Sequence, residues 1–339
     1  MNRMDAKRHF IEGTDWAEAA IAPLAGDASM RKYDRLWHPD GRSAVLMDAP
    51  PEKGEDVRPF VRIARHLLGL GLSAPQIHAA DERRGFLLLE DLGDALYARV
   101  LEAEPDLEWP IYEAAGDALI TLHAAPPPSG VGPYDAAEMT RLSALAYEWY
   151  GAGVTGQTPA AIDQFSTTFA TLLQERTGTP EVLILRDYHA ENLLWLPDRD
   201  GPSRVGQLDF QDAMLGHRAY DLMSLLQDAR RDVSPALEEA MIGQFTSSAR
   251  LDEPSFRLAY DLLSVQRNLR ILGVFARLSM AYGRVHYVDY IPRVWAYLIR
   301  SLERPGMADL RGRVLRDLPD PTPEALQILR DKCAIHPLP

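Results

Sequence analysis

In the first ninety residues apolar positions recur in short clusters broken by turn residues, the pattern of strands. PLAGDASMRKYDRLWHPDGRSAVLMDAP is interrupted at Gly26-Asp27 and again at His38-Pro39-Asp40-Gly41, which predicts an antiparallel meander. Ahead of it, Thr14 followed by DWAEAAIA predicts a short capped helix. In EDVRPFVRIARHLLGLGL the spacing of Val57, Phe60, Val61, Ala64, Leu67 and Leu68 is helical and ends at Gly69 and Gly71. PQIHAADERRGFLLLEDLGD then reads as two strands about a polar turn, closing on Glu90-Asp91-Leu92-Gly93. From Leu96 the period lengthens, and helices are expected around 107–124, 136–150, 159–175, 219–230, 235–247, 254–281 and 289–302, with PPPSGVGP at 126–133 as a loop. A last helix should start at Thr322-Pro323. The segment 181–213 departs from this, because VLIL, LLWL and VGQLDF alternate with polar loops as a small strand unit. The echo of AYDLMSLLQ (219–227) in AYDLLSVQ (259–266) has no support in flanking residues and is treated as chance. The expected class is α+β in two domains: 1–92, a small antiparallel sheet with one long helix, and 93–339, mostly helical.

At 339 residues the chain exceeds what one core usually supports, which agrees with two lobes. Its 46% hydrophobic and 25% charged residues argue against disorder. A net charge of −13 excludes a general nucleic-acid binder, whereas a nucleotide ligand needs only a local patch or a metal. Cys333 is the single cysteine, so no intrachain disulfide can form and a reducing compartment suits the chain. MNRMDAKRHFIEG lacks the apolar core of a signal peptide, and no apolar run approaches the roughly 20 residues that span a bilayer. A cytoplasmic monomer with no nucleic-acid or membrane partner is expected.

The chemistry concentrates in LRDYHAENLLWL (185–196), which sets Arg186, Asp187, His189, Glu191 and Asn192 between two apolar runs. Burying an unpaired charge is costly, so these groups need partners, a ligand or an exposed loop. Folding LLWL back on VGQLDF through Pro197-Asp198-Arg199-Asp200-Gly201 brings Asn192 and Asp209 to the same end of a hairpin. One amide oxygen and one carboxylate make an oxygen-only site of the kind Mg²⁺ takes when phosphate oxygens and waters complete its shell. Asp187 is left to accept a proton from an attacking hydroxyl, and this division of labour is phosphoryl transfer. His189 and Glu191 are expected to orient the loop or meet substrate. Asp212 either helps hold the ion indirectly or lies on an exposed turn.

The D-x-x-x-x-N spacing of Asp187 and Asn192, with Asp209-Phe210 seventeen residues further on, resembles the catalytic and metal loops of protein-kinase-like enzymes. Together with LDFQDAMLGHRAYDLMSLLQD and AGDASMRKYDR, it is similar to the aminoglycoside-phosphotransferase-like small-molecule kinases, with the specific motifs at 25–50, 185–227 and 265–293. The resemblance implies a bilobal protein-kinase-like fold with a small antiparallel-sheet N-lobe and a mostly helical C-lobe, and ATP and Mg²⁺ as cofactors. It implies that Asp221 supports the backbone of the catalytic loop, and that Glu90 to Leu92 form the hinge whose backbone pairs the adenine edge. LAGDASMR would be the turn over the phosphates, with N–H groups near Gly26, Asp27, Ala28 and Ser29 forming an anion nest. Within this family the pattern most resembles kinases acting on the anomeric hydroxyl of N-acetylmuramate or N-acetylglucosamine in cell-wall sugar recycling. A small-molecule amino sugar is therefore the expected partner.

One departure stands out. SAVLMDAP carries Met47 and Asp48 where such kinases generally place a phosphate-binding lysine, and the chain's lysines are Lys7, Lys32, Lys53 and Lys332. Arg31, Lys32 or Lys53 is expected to contact the α/β-phosphates instead. On the acceptor side, Arg267, Arg270 and Arg277 of VQRNLRILGVFARL fall within one narrow arc, and Arg284, His286 and Arg293 extend a basic segment. Aminoglycosides would require carboxylates here; a sugar bearing a lactyl carboxylate fits the charge, with Arg267 and Arg270 as its contacts. Pairing of these arginines with acids of neighbouring helices is the competing reading. A kinase of the same fold acting on another small hydroxyl acceptor, and a non-catalytic nucleotide- or sugar-binding module, both stay open at this point.

Overall fold

The structure is a computed structural model and describes residues 2–24 and 30–335. Its strands are β1 (Ala20–Pro23), β2 (Lys32–Trp37), β3 (Ser43–Asp48), β4 (Ile77–Asp81), β5 (Phe86–Glu90), β6 (Val182–Ile184), β7 (Leu193–Trp195), β8 (Val205–Gln207) and β9 (Met214–Gly216). The chain forms two compact units, one of Met1–Pro128 with Ala190–Ala213 and one of Ser129–His189 with Met214–Pro339.

In the first unit the meander forms a five-stranded antiparallel sheet in the order β1-β2-β3-β5-β4. Alternation along the strands splits its side chains between two faces. Leu36, Ala44, Leu46 and Leu88 point one way and bury against Ile11 and Trp16. Tyr33, Val45 and Met47 point the other way, with Tyr33 opposite Met47 and Arg35 opposite Val45. The return into β5 is tight: Gly85 has φ +73° and a side chain there would lie 1.9 Å from the Ala49 carbonyl oxygen, so only glycine fits. The helix Arg58–Gly69 buries Phe60, Val61, Ile63, Ala64 and Leu67 as its spacing predicts. The short helix expected at Thr14 is replaced by a turn. Thr14 Oγ1 donates to the Ile11 carbonyl at 2.8 Å and accepts the Trp16 N–H at 3.1 Å, while Trp16 drops into the core and Ala20–Pro23 pairs with β2. The N-terminal helix is instead Arg3–Glu12, capped by Asn2, which accepts the Asp5 N–H at 2.9 Å.

The division expected at residue 92 differs from these units. The helix Glu108–Ala124 and the β7–β8 hairpin belong with the sheet, and the hairpin is tied down by hydrogen bonds. Gln207 N–H donates to the Ser73 carbonyl at 2.7 Å, Ser73 Oγ donates to the Ser203 carbonyl at 2.6 Å, and Arg199 pairs with Glu90 at 2.6 Å.

The second unit pairs β6 with β9 and is otherwise helical. Its longest element is the helix Glu253–Tyr282, started by Asp252, whose carboxylate accepts the Ser255 N–H at 3.0 Å. The helix expected over 136–150 is broken into Ala136–Ser143 and a wider π turn, Ala146–Gly151. Beside that break a side chain on Gly273 would stand 2.2 Å from the Leu145 backbone, so glycine lets the two segments touch. Among the described residues no helix is long and apolar enough to cross a membrane.

Candidate active site

The first unit carries a cavity of about 530 Å³ whose walls include Tyr33, Met47, Glu90, Leu92, Asn192 and Asp209. The hairpin brings Asn192 and Asp209 together: Leu193 pairs with Gln207, and the Leu208 N–H donates to the Asn192 carbonyl at 3.0 Å. Asp209 takes φ +55°, a left-handed conformation that L-residues adopt at a cost. Phe210 beside it is buried and stacks on Phe60 with ring centroids 4.7 Å apart, while Gln211 Nε2 donates to Asp209 Oδ1 at 2.7 Å. An amide and a carboxylate on one wall, with no thiol or imidazole among the described lining groups, fit a hard cation that takes its remaining ligands from phosphate and water.

The hinge segment lines the same cavity. The Glu90 carboxylate itself is engaged by Arg199 at 2.6 Å and the Gln76 N–H at 3.2 Å, so a nucleotide would meet backbone rather than this side chain. Sequence reasoning missed the clamp beside it. Arg35 of β2 reaches Asp91 at 2.9 Å and Asp94 at 2.7 and 2.8 Å, fastening the sheet to the segment after β5. Two acids flanking Gly93 in EDLGD were the available signal.

Of the other residues expected at the nucleotide, Gly26, Asp27, Ala28 and Ser29 lie outside the described residues. Lys32 faces away from Tyr33 and Arg35, alongside Asp34, which Lys7 pairs. Lys53 is exposed on a short turn. Arg31, the residue before β2, pairs with Glu55 at 3.3 Å. Asp48 faces away from the cavity and is held by Arg3 at 2.6 Å.

In the second unit, β6 leads into the turn that carries Asp187. Asp221, fully buried on the helix Ala219–Leu226, accepts the Leu185 N–H at 2.6 Å and the Arg186 N–H at 2.9 Å. These bonds hold Arg186 at φ +70°. Burial pushes the Asp221 carboxyl up to about 7 despite both N–H donors. Asp187 retains 31% exposure and lies 4.0 Å from the Arg270 guanidinium. Burial alone would raise its pKa, but Arg270 foremost, with Arg186 and Arg267, holds the carboxyl below its ordinary range.

Arg270 is itself anchored. Its Nη1 lies 3.4 Å from the Tyr220 hydroxyl, which lies 3.5 Å from that of Tyr134, and Tyr134 donates to Gln266 Oε1 at 3.3 Å. Arg267 is 3% exposed and donates to the Gln227 carbonyl at 3.3 Å, which places it among buried groups rather than at an open contact surface. His189 is buried, and burial pushes its pKa down to about 4, so it is neutral at physiological pH. Glu191 is half-buried. Arg293 pairs with Asp232 at 2.7 Å, so that part of the basic segment follows the competing reading of helix-to-helix ion pairs. Tyr134 and Tyr220 were missed because nothing in local sequence marks a tyrosine as an arginine's anchor.

Sheet, hinge and paired polar loops define a protein-kinase-like phosphotransferase. The chain belongs to the phosphotransferase enzyme family, whose sequence pattern matches residues 20–257. It is 38% identical to an N-acetylmuramate/N-acetylglucosamine kinase of Caulobacter vibrioides, over 94% of this chain and 97% of that protein. It is 34% identical to the protein of the same name from Pseudomonas putida, over 89% and 90%. Its fold is shared with a solved choline/ethanolamine kinase family protein from Mesorhizobium loti at 14% identity, with a TM-score of 0.55 over 97% of this chain and 100% of that one.

Proposed function

We propose that this protein is an ATP- and Mg²⁺-dependent kinase that transfers the γ-phosphate to the anomeric hydroxyl of N-acetylmuramate, N-acetylglucosamine or both. The observation that carries the reading is Asp187, a carboxylate kept ionised by a group of arginines. A base in that state accepts the hydroxyl proton as the sugar oxygen bonds to the γ-phosphorus and the bond to the β-phosphate oxygen breaks, releasing ADP. Asn192 and Asp209 would hold Mg²⁺, which when bound neutralises phosphate charge. The backbone of Glu90 to Leu92 would meet the adenine edge.

The names of the relatives support an amino-sugar acceptor, and the sign of the charge agrees with it. Arg186, Arg267 and Arg270 all act on Asp187, a setting that suits an anionic sugar and opposes a polycationic aminoglycoside. His189 and Glu191 are proposed to shape the acceptor side, and Asp221 to fix the loop. The cytoplasm, where ATP is abundant, is the proposed site of action, and the protein is proposed to act as a monomer.

The test is phosphate transfer from ATP to N-acetylmuramate, N-acetylglucosamine, ethanolamine and kanamycin, with the product position assigned by ³¹P NMR. The expected product is a sugar 1-phosphate. Turnover confined to ethanolamine or kanamycin would overturn the acceptor, and absence of ATP turnover with every acceptor would overturn the kinase reading.

A further inference from the structure

Arg267 is buried without an acid of its own. Among the described residues no carboxylate comes within ion-pair distance of it, and its guanidinium donates to the Gln227 carbonyl at 3.3 Å. A buried cation in that position is costly unless something holds it. Here it meets the C-terminal end of the helix Ala219–Leu226, where carbonyls carry partial negative charge. Gln227, which caps this end, is 1% exposed and is bonded through its side chain as well. Its Nε2 donates to Glu238 Oε1 at 3.0 Å, and its Oε1 accepts Ser264 Oγ at 2.6 Å and Asn268 Nδ2 at 3.3 Å. Glu238 is fixed in turn by the Tyr260 hydroxyl at 2.8 Å and by Arg300 at 2.7 Å.

Ser264, Arg267 and Asn268 are spaced i, i+3, i+4, so they share one face of the helix Glu253–Tyr282. That helix therefore grips the end of Ala219–Leu226 through the side chain and the carbonyl of one residue. A purely apolar contact would tolerate sliding, whereas a buried hydrogen-bonded network is satisfied in one register. Register matters because each helix holds one half of the proposed chemistry. Ala219–Leu226 carries Asp221, which binds the turn ahead of Asp187, and Glu253–Tyr282 carries Arg267 and Arg270.

We infer that Gln227 is a positioning residue: its side chain, held by Glu238, Ser264 and Asn268, locks the helix that fixes the Asp187 turn against the helix that carries Arg267 and Arg270. The inference rests on the reading of Asp187 as the base. Arg270 and Arg267 act on Asp187 from the long helix, Arg186 and His189 from its own turn, and Asp221 is coupled to it from Ala219–Leu226. Tyr220 and Asp228 act on Arg267, and Glu138 of the helix Ala136–Ser143 feels Arg186 and Arg270. Of these groups, the two arginines of the long helix are the ones that a slip at Gln227 would move away from Asp187.

The experiment compares the full chain with Gln227→Met, Ser264→Ala and a control, Thr246→Val. The Thr246 hydroxyl is buried and donates to the Ile242 carbonyl of its own helix at 2.9 Å, apart from the Gln227 bonds. Each variant is measured for unfolding in urea and for the pH profile of kcat/KM with N-acetylglucosamine and N-acetylmuramate as acceptors. Gln227→Met should lower kcat by about 10–100-fold and leave the KM for ATP within about twofold. Its acidic limb should move to higher pH by about 0.5–1 unit, because arginines set further from Asp187 favour the ion less. Ser264→Ala should show smaller effects of the same pattern. Thr246→Val should lose stability and keep the limb in place. A limb that stays put in Gln227→Met, or that moves equally in Thr246→Val, would overturn the inference; if Gln227→Met does not fold, an unmoved limb in Ser264→Ala does the same. A wild-type acidic limb that persists in Asp187→Asn would instead overturn the reading of Asp187 as the base.

Discussion

Asp187 is the residue on which the proposed chemistry turns, and its neighbours show how a carboxylate is kept ready. Burial favours the neutral acid, whereas Arg270 at 4.0 Å favours the ion, and the ion prevails. Replacing Asp187 with Asn should lower kcat by about 10²–10⁴ while leaving ATP affinity within about twofold, and steady-state kinetics with calorimetry checks both. Arg270→Gln removes the largest influence that lowers the pKa of Asp187 and leaves burial in place. The acidic limb of the kcat/KM profile should therefore move to higher pH, and a limb that stays where it is would show that Arg270 does not set the charge of Asp187. Arg186, the residue before Asp187, and Asp209, on the cavity wall of the first unit, each take a left-handed conformation at a cost of about 1–3 kcal/mol. Asp221 offsets the first by binding two consecutive N–H groups of the strained turn.

At the scale of elements, the hairpin β7–β8 and the helix Glu253–Tyr282 do most to place the candidate site. The hairpin sets Asn192 beside Leu208 through its register, so a one-residue slip would turn Asn192 and Asp209 away from the cavity. The long helix carries both Arg267 and Arg270, and its position depends on contact at Gly273. Gly273→Ala would gain helix propensity, yet its new methyl would meet the Leu145 backbone, which cannot swing aside as a side chain can. The expected outcome is a net loss of about 1–3 kcal/mol in urea unfolding, with a fall in kcat if the helix shifts. Equal or greater stability would mean the approach at Leu145 is looser than the structure shows.

For the whole molecule, two buried groups pull the pH dependence of stability in opposite directions. His189 is pushed from its ordinary 6.5 down to about 4, so its contribution is present above pH 6.5 and lost as pH falls through about 4. Asp221 is pushed from 3.8 up to about 7, so its contribution is present below pH 3.8 and lost as pH rises through about 7. Their slopes oppose each other between roughly pH 4 and 6.5. His189→Gln should uncover the Asp221 slope. Relative to wild type the variant should gain stability on acidification across that window, by on the order of 1–3 kcal/mol, in urea titrations at stepped pH. A difference that does not vary with pH would show that His189 is not buried as the neutral form.

Local pattern by itself determined much of this protein. Alternation and turn residues specified the meander, helical spacing specified Arg58–Gly69 and Glu253–Tyr282, and the interval from Asp187 to Asn192 to Asp209 marked the polar loops. These depend on chain neighbours and short-range hydrogen bonds, so they are readable without a fold. The missed features all pair residues far apart in the chain. Trp16 left its expected helix for a core shared with Leu36 and Leu88, and the β7–β8 hairpin is bonded back to Ser73, far away in the chain. Arg35 found Asp91 and Asp94, Arg31 found Glu55, and Tyr220 found Arg270. Which cation meets which carboxylate follows from strand pleat and helix packing, and those are decided only when the whole chain has closed around its cores.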